Sequence, residues 1–253
     1  SGIVRQNGAQ TEMAPGALAK ELHKEIKAKK DQVAMVLTGQ YTVEEYEAMV
    51  SSMVKEFGVT KIYHWVNNKE SFDSFDGLLL RGDKNPNTKG LLQVLEKHQI
   101  KGVWGDLEAG LKNKSIKTLI VAGPENKAVF DNLESYVKLF SQAEHLVWLG
   151  AAKVDSLLSL NNKVSIVPLK TFVEKEGTFV NAAGLEQKFK RATTVVHEAL
   201  TLTETAILMS GKNLTVPMAQ IEKPAFLENK RRQDQVMLEN RKKNEFVFKR
   251  GSL

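Results

Sequence analysis

The sequence predicts an α/β fold in which a parallel β-sheet lies between layers of helices. Val33–Leu37 is a continuous apolar run closed by Thr38 and Gly39, which is typical of a strand that is covered on both faces. Over residues 116–167, strand and helix patterns alternate in the rhythm of βαβ units, whose strands are parallel. Together, these two observations predict a three-layer architecture.

The N-terminal part of the chain is predicted to begin irregularly, over residues 3–15. A helix should follow at 17–30, where apolar residues recur at intervals of four. After the first strand, Thr42 and Glu45 have the spacing of a capping box, which predicts the start of a second helix. Gly58 is the expected end of that helix.

The middle of the chain is interrupted by turn-forming residues. Residues 61–66 are predicted to form a second strand, and the stretch 67–90 is rich in Asp, Asn and Gly around one short apolar piece. A connection of that length inside a domain is usually functional, partly structured or an interface. We then expect a short helix at 91–97 and a third strand at 102–104.

The clearest βαβ pattern begins with a predicted strand at 116–122. Apolar residues at helical spacing over 129–140 predict the helix that follows. The strand His145–Gly150, a short helix around Leu157 and a strand at 164–167 complete the series. This is the part of the sequence from which the parallel sheet is most directly inferred.

Composition limits the chemistry that the chain can perform. Of its 253 residues, 42% are apolar and 26% charged, and the 36 Lys and Arg against 30 Asp and Glu give a net charge of +6. The absence of cysteine excludes thiolate-bound iron–sulfur clusters, cysteine-ligated zinc and thiol nucleophiles within the chain. No apolar run approaches the ~18 residues of a membrane-spanning helix. The opening Ser1-Gly2, without an initiator Met, is interpreted as a tag remnant on a fragment of a longer protein.

We divide the chain into an N-terminal segment and helix (1–30), an α/β domain (31–210) and a basic C-terminal tail (211–253). The domain should end in a helix at 194–209, and a loop should follow at 211–217. Residues 219–253 contain nine Lys or Arg against five Asp or Glu, a net charge of +4. Because acidic residues are interleaved, we favour docking of this tail onto the protein or a neighbouring subunit. Nucleic-acid or anionic-lipid binding and plain disorder remain alternatives.

A polar segment, 171–187, follows the last predicted strand. It leaves the carboxyl end of that strand, and this edge of a parallel sheet is where ligands bind. Gly177 and Gly184 would allow a close approach of the backbone, and Asn181 offers both a donor and an acceptor. On residue types alone, the favoured interpretation is a hairpin-like turn that covers the sheet edge.

As a string, the same segment resembles the motif E-K-x-G-T-x-x-N-x-E-G-R-x-Q of the molybdopterin oxidoreductase superfamily. The most similar form is that of the large iron–sulfur subunits of respiratory complex I, the NADH:quinone oxidoreductase. Residues 116–126 look like the family's strand that ends Val-Ala-Gly before an Asn, and 87–90 more weakly resemble its Asn-and-Gly element before a helix. The likeness spans about 32–187. The matched motif positions are Glu174, Lys175, Gly177, Thr178, Asn181, Gly184 and Gln187.

The chain also departs from the family pattern. Where the motif has an acidic residue followed by Gly-Arg, this sequence has Ala183, Gly184 and Leu185. The missing guanidinium removes a bidentate contact that a nucleotide or pterin phosphate would use. We therefore expect no catalytic residue and no metal ligand. The resemblance implies cofactor-binding positions that are vestigial, and these are Gly123, Asn126, Glu174, Gly177, Thr178, Asn181 and Gln187.

The resemblance implies a structural and assembly role for the chain. It would brace the N-terminal part of the large iron–sulfur subunit, which would lie before residue 1 and carry the clusters that pass electrons from NADH to quinone. Molybdopterin is not expected as a cofactor. The expected partners are other peripheral-arm subunits of complex I, without nucleic acid and without direct membrane insertion. The expected location is peripheral, on the cytoplasmic side of the inner membrane.

Two alternative functions remain open from the sequence. The chain could be a fragment of a molybdopterin-dependent oxidoreductase that keeps part of a cofactor site at Gly123, Asn126, Thr178 and Asn181. A cofactor held there should leave a polar pocket at the strand ends. The chain could also be a soluble binding module that uses its basic tail, with strongly salt-dependent binding.

Overall fold

A seven-stranded sheet forms the centre of the computed structural model, which describes residues 1–67, 71–152 and 154–214. Its strands are β1 (Gly2–Gln6), β2 (Ala9–Met13), β3 (Val33–Leu37), β4 (Ile62–His64), β5 (Thr118–Ala122), β6 (His145–Gly150) and β7 (Lys163–Pro168). In space their order is β2-β1-β7-β6-β5-β3-β4. The five strands from β3 to β7 are parallel, whereas β1 is antiparallel to both β2 and β7. The predicted α/β class is therefore confirmed.

Helices cover both faces of this sheet. They are α1 (Pro15–Ala28), α2 (Val43–Ser51), α3 (Thr88–Lys97), α4 (Trp104–Lys112), α5 (Leu133–Phe140) and α6 (Leu202–Met209). Successive side chains of a strand point to opposite faces, so Met35 of β3 packs in one core with α1, α2, α3 and α6. Its neighbour Val36 packs in the other core with α4 and α5. The three-layer architecture is confirmed by these two cores.

The N-terminal segment is a β-hairpin, so the prediction of an irregular start is wrong. β1 pairs with β2 from Gly2 opposite Met13 to Gln6 opposite Ala9. Asn7 and Gly8, both with positive φ, form the two-residue turn. Asn-Gly is a strong signal for such a hairpin, and it was present in the sequence. The hairpin joins the central sheet through β1 and β7.

Two other predicted elements also need correction. Residues 102–104 do not form a strand, since Gly102 and Val103 are irregular and Trp104 starts α4. Gly102 lies close to β4, where an added Cβ would be only 2.0 Å from the carbonyl oxygen of Ile62. The helix predicted at 194–209 is only Leu202–Met209, because Thr201 caps its first turn in a capping box with Glu204.

The segment 171–187 supplies a second, two-stranded sheet. Its strands are β8 (Gly177–Val180) and β9 (Glu186–Phe189), which are antiparallel. The hairpin-like interpretation of this segment is confirmed. The tail from residue 215 onwards, including part of the predicted loop at 211–217, lies outside the described residues. Within the part of the chain that is described, no helix is both long and apolar enough to cross a membrane.

Candidate functional site

The candidate site lies at the carboxyl edge of the parallel strands, between β3 and β5. After β3 the chain passes to β4, and after β5 it passes to β6 on the other side of the sheet. The segments that leave β3 and β5 therefore diverge. In open α/β sheets, ligands bind at such a switch point. Gly123 and Asn126 follow β5 there, as the sequence predicted, and Gln40 and Tyr41 follow β3.

Two buried tyrosines close this edge. The hydroxyl of Tyr41 donates to the carbonyl oxygen of Gly123 at 2.5 Å, and the hydroxyl of Tyr46 donates to that of Thr38 at 2.7 Å. The backbone N–H of Tyr41 donates in turn to the Tyr46 hydroxyl at 2.9 Å. Burial, followed by the charges of nearby glutamates, raises the pKa of Tyr41 well above its ordinary value. Burial likewise raises the pKa of Tyr46. The neutral phenol of Tyr41 therefore bridges the ends of β3 and β5, whereas that of Tyr46 joins α2 to the segment after β3.

The space that a side chain at residue 123 would occupy is taken by an aromatic ring. A Cβ at this position would lie 2.3 Å from Cζ2 and 2.5 Å from Cε2 of Trp148, on the neighbouring strand β6. Trp148 is 1% exposed and packs edge-on against Trp65 in the second core. The absence of a side chain at residue 123 thus makes room for the indole.

Gly123→Ala should therefore lower the free energy of unfolding by about 1–3 kcal/mol, as overpacking of a core does. The matched control is Gly105→Ala in α4, where nothing lies within 4 Å of the added Cβ. That variant should be neutral or gain about 0.5–1 kcal/mol, because Ala is a better helix former than Gly. Urea unfolding of both variants measures the difference. Equal stabilities would contradict the steric role of Trp148.

Asn126 is held by the side chain of Gln40. The amide oxygen of Gln40 accepts the backbone N–H of Asn126 at 2.8 Å, and its amide nitrogen donates to the Asn126 carbonyl at 3.3 Å. The same nitrogen donates to Oδ1 of Asn85 at 3.2 Å. Oδ1 of Asn126 accepts the backbone N–H of Ala128 at 3.1 Å, capping a short helical turn. These amides are thus largely paired with one another and with the backbone.

A buried ion-pair cluster joins α2, the segment after β5 and the segment before β8. We call Lys175, Glu45 and Glu125 the Lys175 cluster. The Lys175 ammonium lies 2.9 Å from Oε2 of Glu45 and also contacts Oε1 of Glu125, and all three side chains are less than 10% exposed. It also lies 4.8 Å from the centre of the Tyr41 ring. Burial raises the pKa of Glu125, although Lys175 opposes the shift.

Glu174, the motif residue before Lys175, binds the backbone. Its Oε1 accepts the N–H groups of Val195 and Val196, each at 2.8 Å, and its Oε2 accepts the N–H of Thr171 at 3.1 Å. Burial raises the pKa of Glu174, but these hydrogen bonds outweigh it, so the pKa lies below its usual value. The carboxylate fastens the segment after the hairpin to the segment before it.

Gly177 and Thr178 fasten the hairpin to the start of α2. The backbone N–H and the hydroxyl of Thr178 donate to the two carboxylate oxygens of Glu44, at 2.9 and 2.6 Å. A Cβ on Gly177 would lie 2.5 Å from Cγ2 of Thr42. Both motif positions therefore serve the contact between β8 and α2.

The remaining motif positions lie within the hairpin itself. Oδ1 of Asn181 accepts the N–H of Leu185 at 3.0 Å, and Gly184 occupies the turn with a φ of +89°. Gln187 is on β9, opposite Phe179, and its side chain is exposed. The structure thus brings Gly123 and Asn126 together at the sheet edge but places these three in and beside the turn.

Asn87 is an organising residue that was not among the predicted site residues. It is fully buried; its amide nitrogen donates to the carbonyl of Tyr41 at 2.7 Å, and its Oδ1 accepts the N–H of Val180 at 2.7 Å. A Cβ on Gly90 would lie 2.2 Å from that Oδ1. The Asn-and-Gly spacing was the available signal, although nothing in it indicated a bond to the hairpin.

A pocket of about 230 Å³ remains at the strand ends, beside these contacts. It is lined by Gln40, Lys84, Pro86, Glu125, Asn126, Val129, Phe172 and Phe179. Pockets for drug-sized ligands occupy roughly 300–1,000 Å³, and a molybdopterin nucleotide is larger still. The Glu125 carboxylate already binds Lys175 and the N–H of Phe172. The residues present therefore do not fit a molybdopterin cofactor.

Among the described residues, no group of three or more His, Cys, Asp or Glu could hold a metal.

A Glu-His-Ser chain lies at the opposite, amino edge of the sheet. Nδ1 of His145 lies 2.7 Å from Oε1 of Glu25, and its Nε2 lies 2.8 Å from Oγ of Ser165. This order resembles that of a hydrolase triad. However, Ser165 is 1% exposed and cannot meet a substrate, and Lys163 and Thr118 also bind Glu25. We interpret this hydrogen-bonded series of Glu25, His145 and Ser165 as a polar clamp between α1 and the sheet.

This clamp predicts an acid-dependent stability. Burial alone would raise the pKa of Glu25, but His145 and Lys163 lower it from 4.5 to about 2. A carboxyl group with a depressed native pKa stabilises the fold above its unfolded pKa, and the effect is lost as the pH falls. Glu25→Gln should therefore cost on the order of 2 kcal/mol at pH 7, and the loss should shrink between pH 4.5 and pH 2. Urea titrations across this range, with the exposed Glu96→Gln as control, measure it; a pH-independent loss would contradict it.

No protein-family model matches the chain, and no curated protein matches it.

Proposed function

We propose that the chain is a structural, non-catalytic part of the large iron–sulfur subunit of an NADH:quinone oxidoreductase. One observation carries the proposal: the side chains at four motif positions, Glu174, Lys175, Thr178 and Asn181, are bonded to the protein itself. Lys175 binds Glu45 and Glu125, and Thr178 binds Glu44. The motif thus fastens a hairpin over the sheet edge where a cofactor would otherwise bind. Together with the sequence resemblance, this supports a bracing role in the peripheral arm.

The proposed place in the assembly follows from the sequence resemblance. The iron–sulfur clusters would belong to another part of the same subunit, and the chain would contact other peripheral-arm subunits on the cytoplasmic side of the inner membrane. Electron transfer from NADH to quinone would take place outside the residues 1–253. The fragment of a molybdopterin-dependent oxidoreductase is the second candidate, but the pocket at the strand ends disfavours it because that pocket is lined mainly by apolar atoms and is too small for the cofactor.

The proposal is tested with an antibody against this chain on native gels of solubilised source membranes, stained for NADH dehydrogenase activity. We expect the antigen in a large active band and, on a denaturing gel, in a polypeptide longer than 253 residues. Antibody adsorbed with the purified chain is the control. Antigen that is separate from the activity would reject the proposal, and pterin analysis of the parent protein would then test the second candidate.

Asn181→Ala separates a structural from a catalytic role for the motif. The variant loses the bond from the Leu185 N–H, which should cost about 0.5–1.5 kcal/mol of stability. We expect less assembled complex but unchanged NADH oxidation per assembled complex. Gln187→Ala, at an exposed motif position, should change neither quantity. A normally assembled Asn181→Ala complex without NADH oxidation would disprove the structural role.

A further inference from the structure

The connection between β4 and α3 presents three consecutive leucines to solvent. Leu78, Leu79 and Leu80 are 88%, 80% and 62% exposed. They form the tip of residues 71–84, which we call the leucine loop, between β4 and α3. Single exposed leucines are common on protein surfaces, but a contiguous apolar tip indicates an interaction site.

The leucine loop holds its tip in one conformation. Oδ1 of Asp76 accepts the backbone N–H groups of all three leucines, at 2.9, 2.8 and 2.9 Å. Gly77, with a φ of +84°, allows the chain to turn around that carboxylate. The backbone N–H groups of the tip are therefore bonded before any partner arrives, which reduces the ordering of the backbone that binding requires.

The base of the loop is closed by an isolated β-bridge. Phe75 and Arg81 form an antiparallel bridge, and the Arg81 guanidinium lies 4.0 Å above the centre of the Phe75 ring. The N–H of Gly82 donates to the carbonyl of Ser74 at 2.9 Å. A closed base and a bonded tip make a convex, preformed projection, which fits a concave partner.

Charge identifies the chemistry of that partner. The leucine loop carries three carboxylates, on Asp73, Asp76 and Asp83, against two cations, on Arg81 and Lys84. Hydrogen bonds from the backbone lower the pKa of Asp76, so it stays charged directly beneath the leucines. Entering a bilayer would bring this carboxylate toward hydrocarbon and anionic headgroups, and both are unfavourable.

On a second copy of this chain, the groove of about 540 Å³ between α2 and α3 is a poor complement, because it carries Glu44 and Glu47 against Lys97. Its carboxylates would repel an acidic projection. We therefore propose that the leucine loop docks into an apolar cleft, rimmed by Lys or Arg, on a different protein. The loop lies outside the motif, so this inference does not depend on the assignment to complex I.

The docking is tested first by photo-crosslinking of the full chain in source cells, with p-benzoyl-phenylalanine replacing Leu79. We expect one protein adduct, on a peptide that combines apolar residues with Lys or Arg. The matched control carries the same photoprobe in place of Leu185, another leucine that is 60% exposed, and should not give that adduct. An adduct to lipid, to a second copy, or to no protein overturns the proposal.

The crosslinked protein is then purified and titrated with the chain by calorimetry. L78S/L79S/L80S should weaken binding by at least about a hundredfold, since each buried leucine contributes tenfold or more. L185S should stay within about twofold of the wild type. Because the loop bonds use backbone N–H groups, the triple variant should keep the melting temperature of the wild type. Equal affinities, or leucine-dependent flotation of the chain with phosphatidylglycerol vesicles, would overturn the proposal.

Discussion

Replacing Lys175 by Met should lower the free energy of unfolding by about 3–5 kcal/mol, the largest effect that we expect from a single substitution. Lys175 is 2% exposed and is the cation between the carboxylates of Glu45 and Glu125. Met replaces the length and apolar volume of the side chain but leaves two buried carboxylates close together. Removing one member of a buried ion pair costs far more than removing a surface pair, because the remaining charge stays desolvated.

The loss should depend on pH in a defined direction. Burial already raises the pKa of Glu125, and Lys175 opposes that shift. Without the ammonium, the native pKa should rise further above the unfolded value of about 4.3. A carboxyl group with a raised native pKa binds a proton on folding, so the fold loses stability as the pH increases. The deficit of Lys175→Met should thus be smallest at pH 4–5 and largest at pH 8, as measured by urea unfolding.

The chain supplies a matched control for this experiment. Lys190 lies 3.2 Å from Oε2 of Glu176, but their side chains are 88% and 65% exposed. Lys190→Met removes the same type of contact from water-exposed groups and should leave stability almost unchanged. If both variants lose the same small amount, the Lys175 cluster does not stabilise the sheet edge. A large loss at Lys175 that does not change with pH would show that packing, rather than charge, is responsible.

Local sequence patterns predicted the elements of the fold better than their contacts. The apolar run of β3 and the capping box of Thr42 and Glu45 are both present as predicted. Each is defined by residues close in sequence. Glu45, however, also accepts the N–H of Leu202 at 3.0 Å and contacts Lys175. A capping pattern cannot reveal that its carboxylate also joins segments more than a hundred residues away, since that depends on how the layers pack.

The predicted site residues had the same limit. The family resemblance selected Gly123 and Asn126, and the fold places both at the same sheet edge. However, the need for glycine at residue 123 is explained by the Trp148 ring, and Trp148 has no role in the motif. The irregular start was predicted wrongly although Asn7 and Gly8 carried the turn signal, because strands β1 and β2 are short and half of their ten residues are polar. Pairing with β7 compensates for that weak local preference.

Asn87→Ala should lower the free energy of unfolding by about 2–4 kcal/mol, the second-largest loss that we expect, because it leaves two buried backbone groups without a hydrogen bond. The variant leaves the carbonyl of Tyr41 and the N–H of Val180 without their 2.7 Å partners. Asn87→Asp tests the bond to Tyr41 alone. Its carboxylate can still accept from Val180, but it places an oxygen against the carbonyl of Tyr41, so this variant should also be destabilised.

Hydrogen exchange of the Val180 amide locates the effect. We expect Asn87→Ala to increase exchange in β8 and in the segment after β3 while leaving β6 protected, because Asn87 joins those two segments specifically. Asn181→Ala is the control, since it removes an amide from the same hairpin but only one turn bond, to Leu185. Uniform loss of protection across the central sheet would instead mean that Asn87 supports global folding. Unchanged exchange at Val180 would show that the hairpin is held by Glu44 and Thr178 without Asn87.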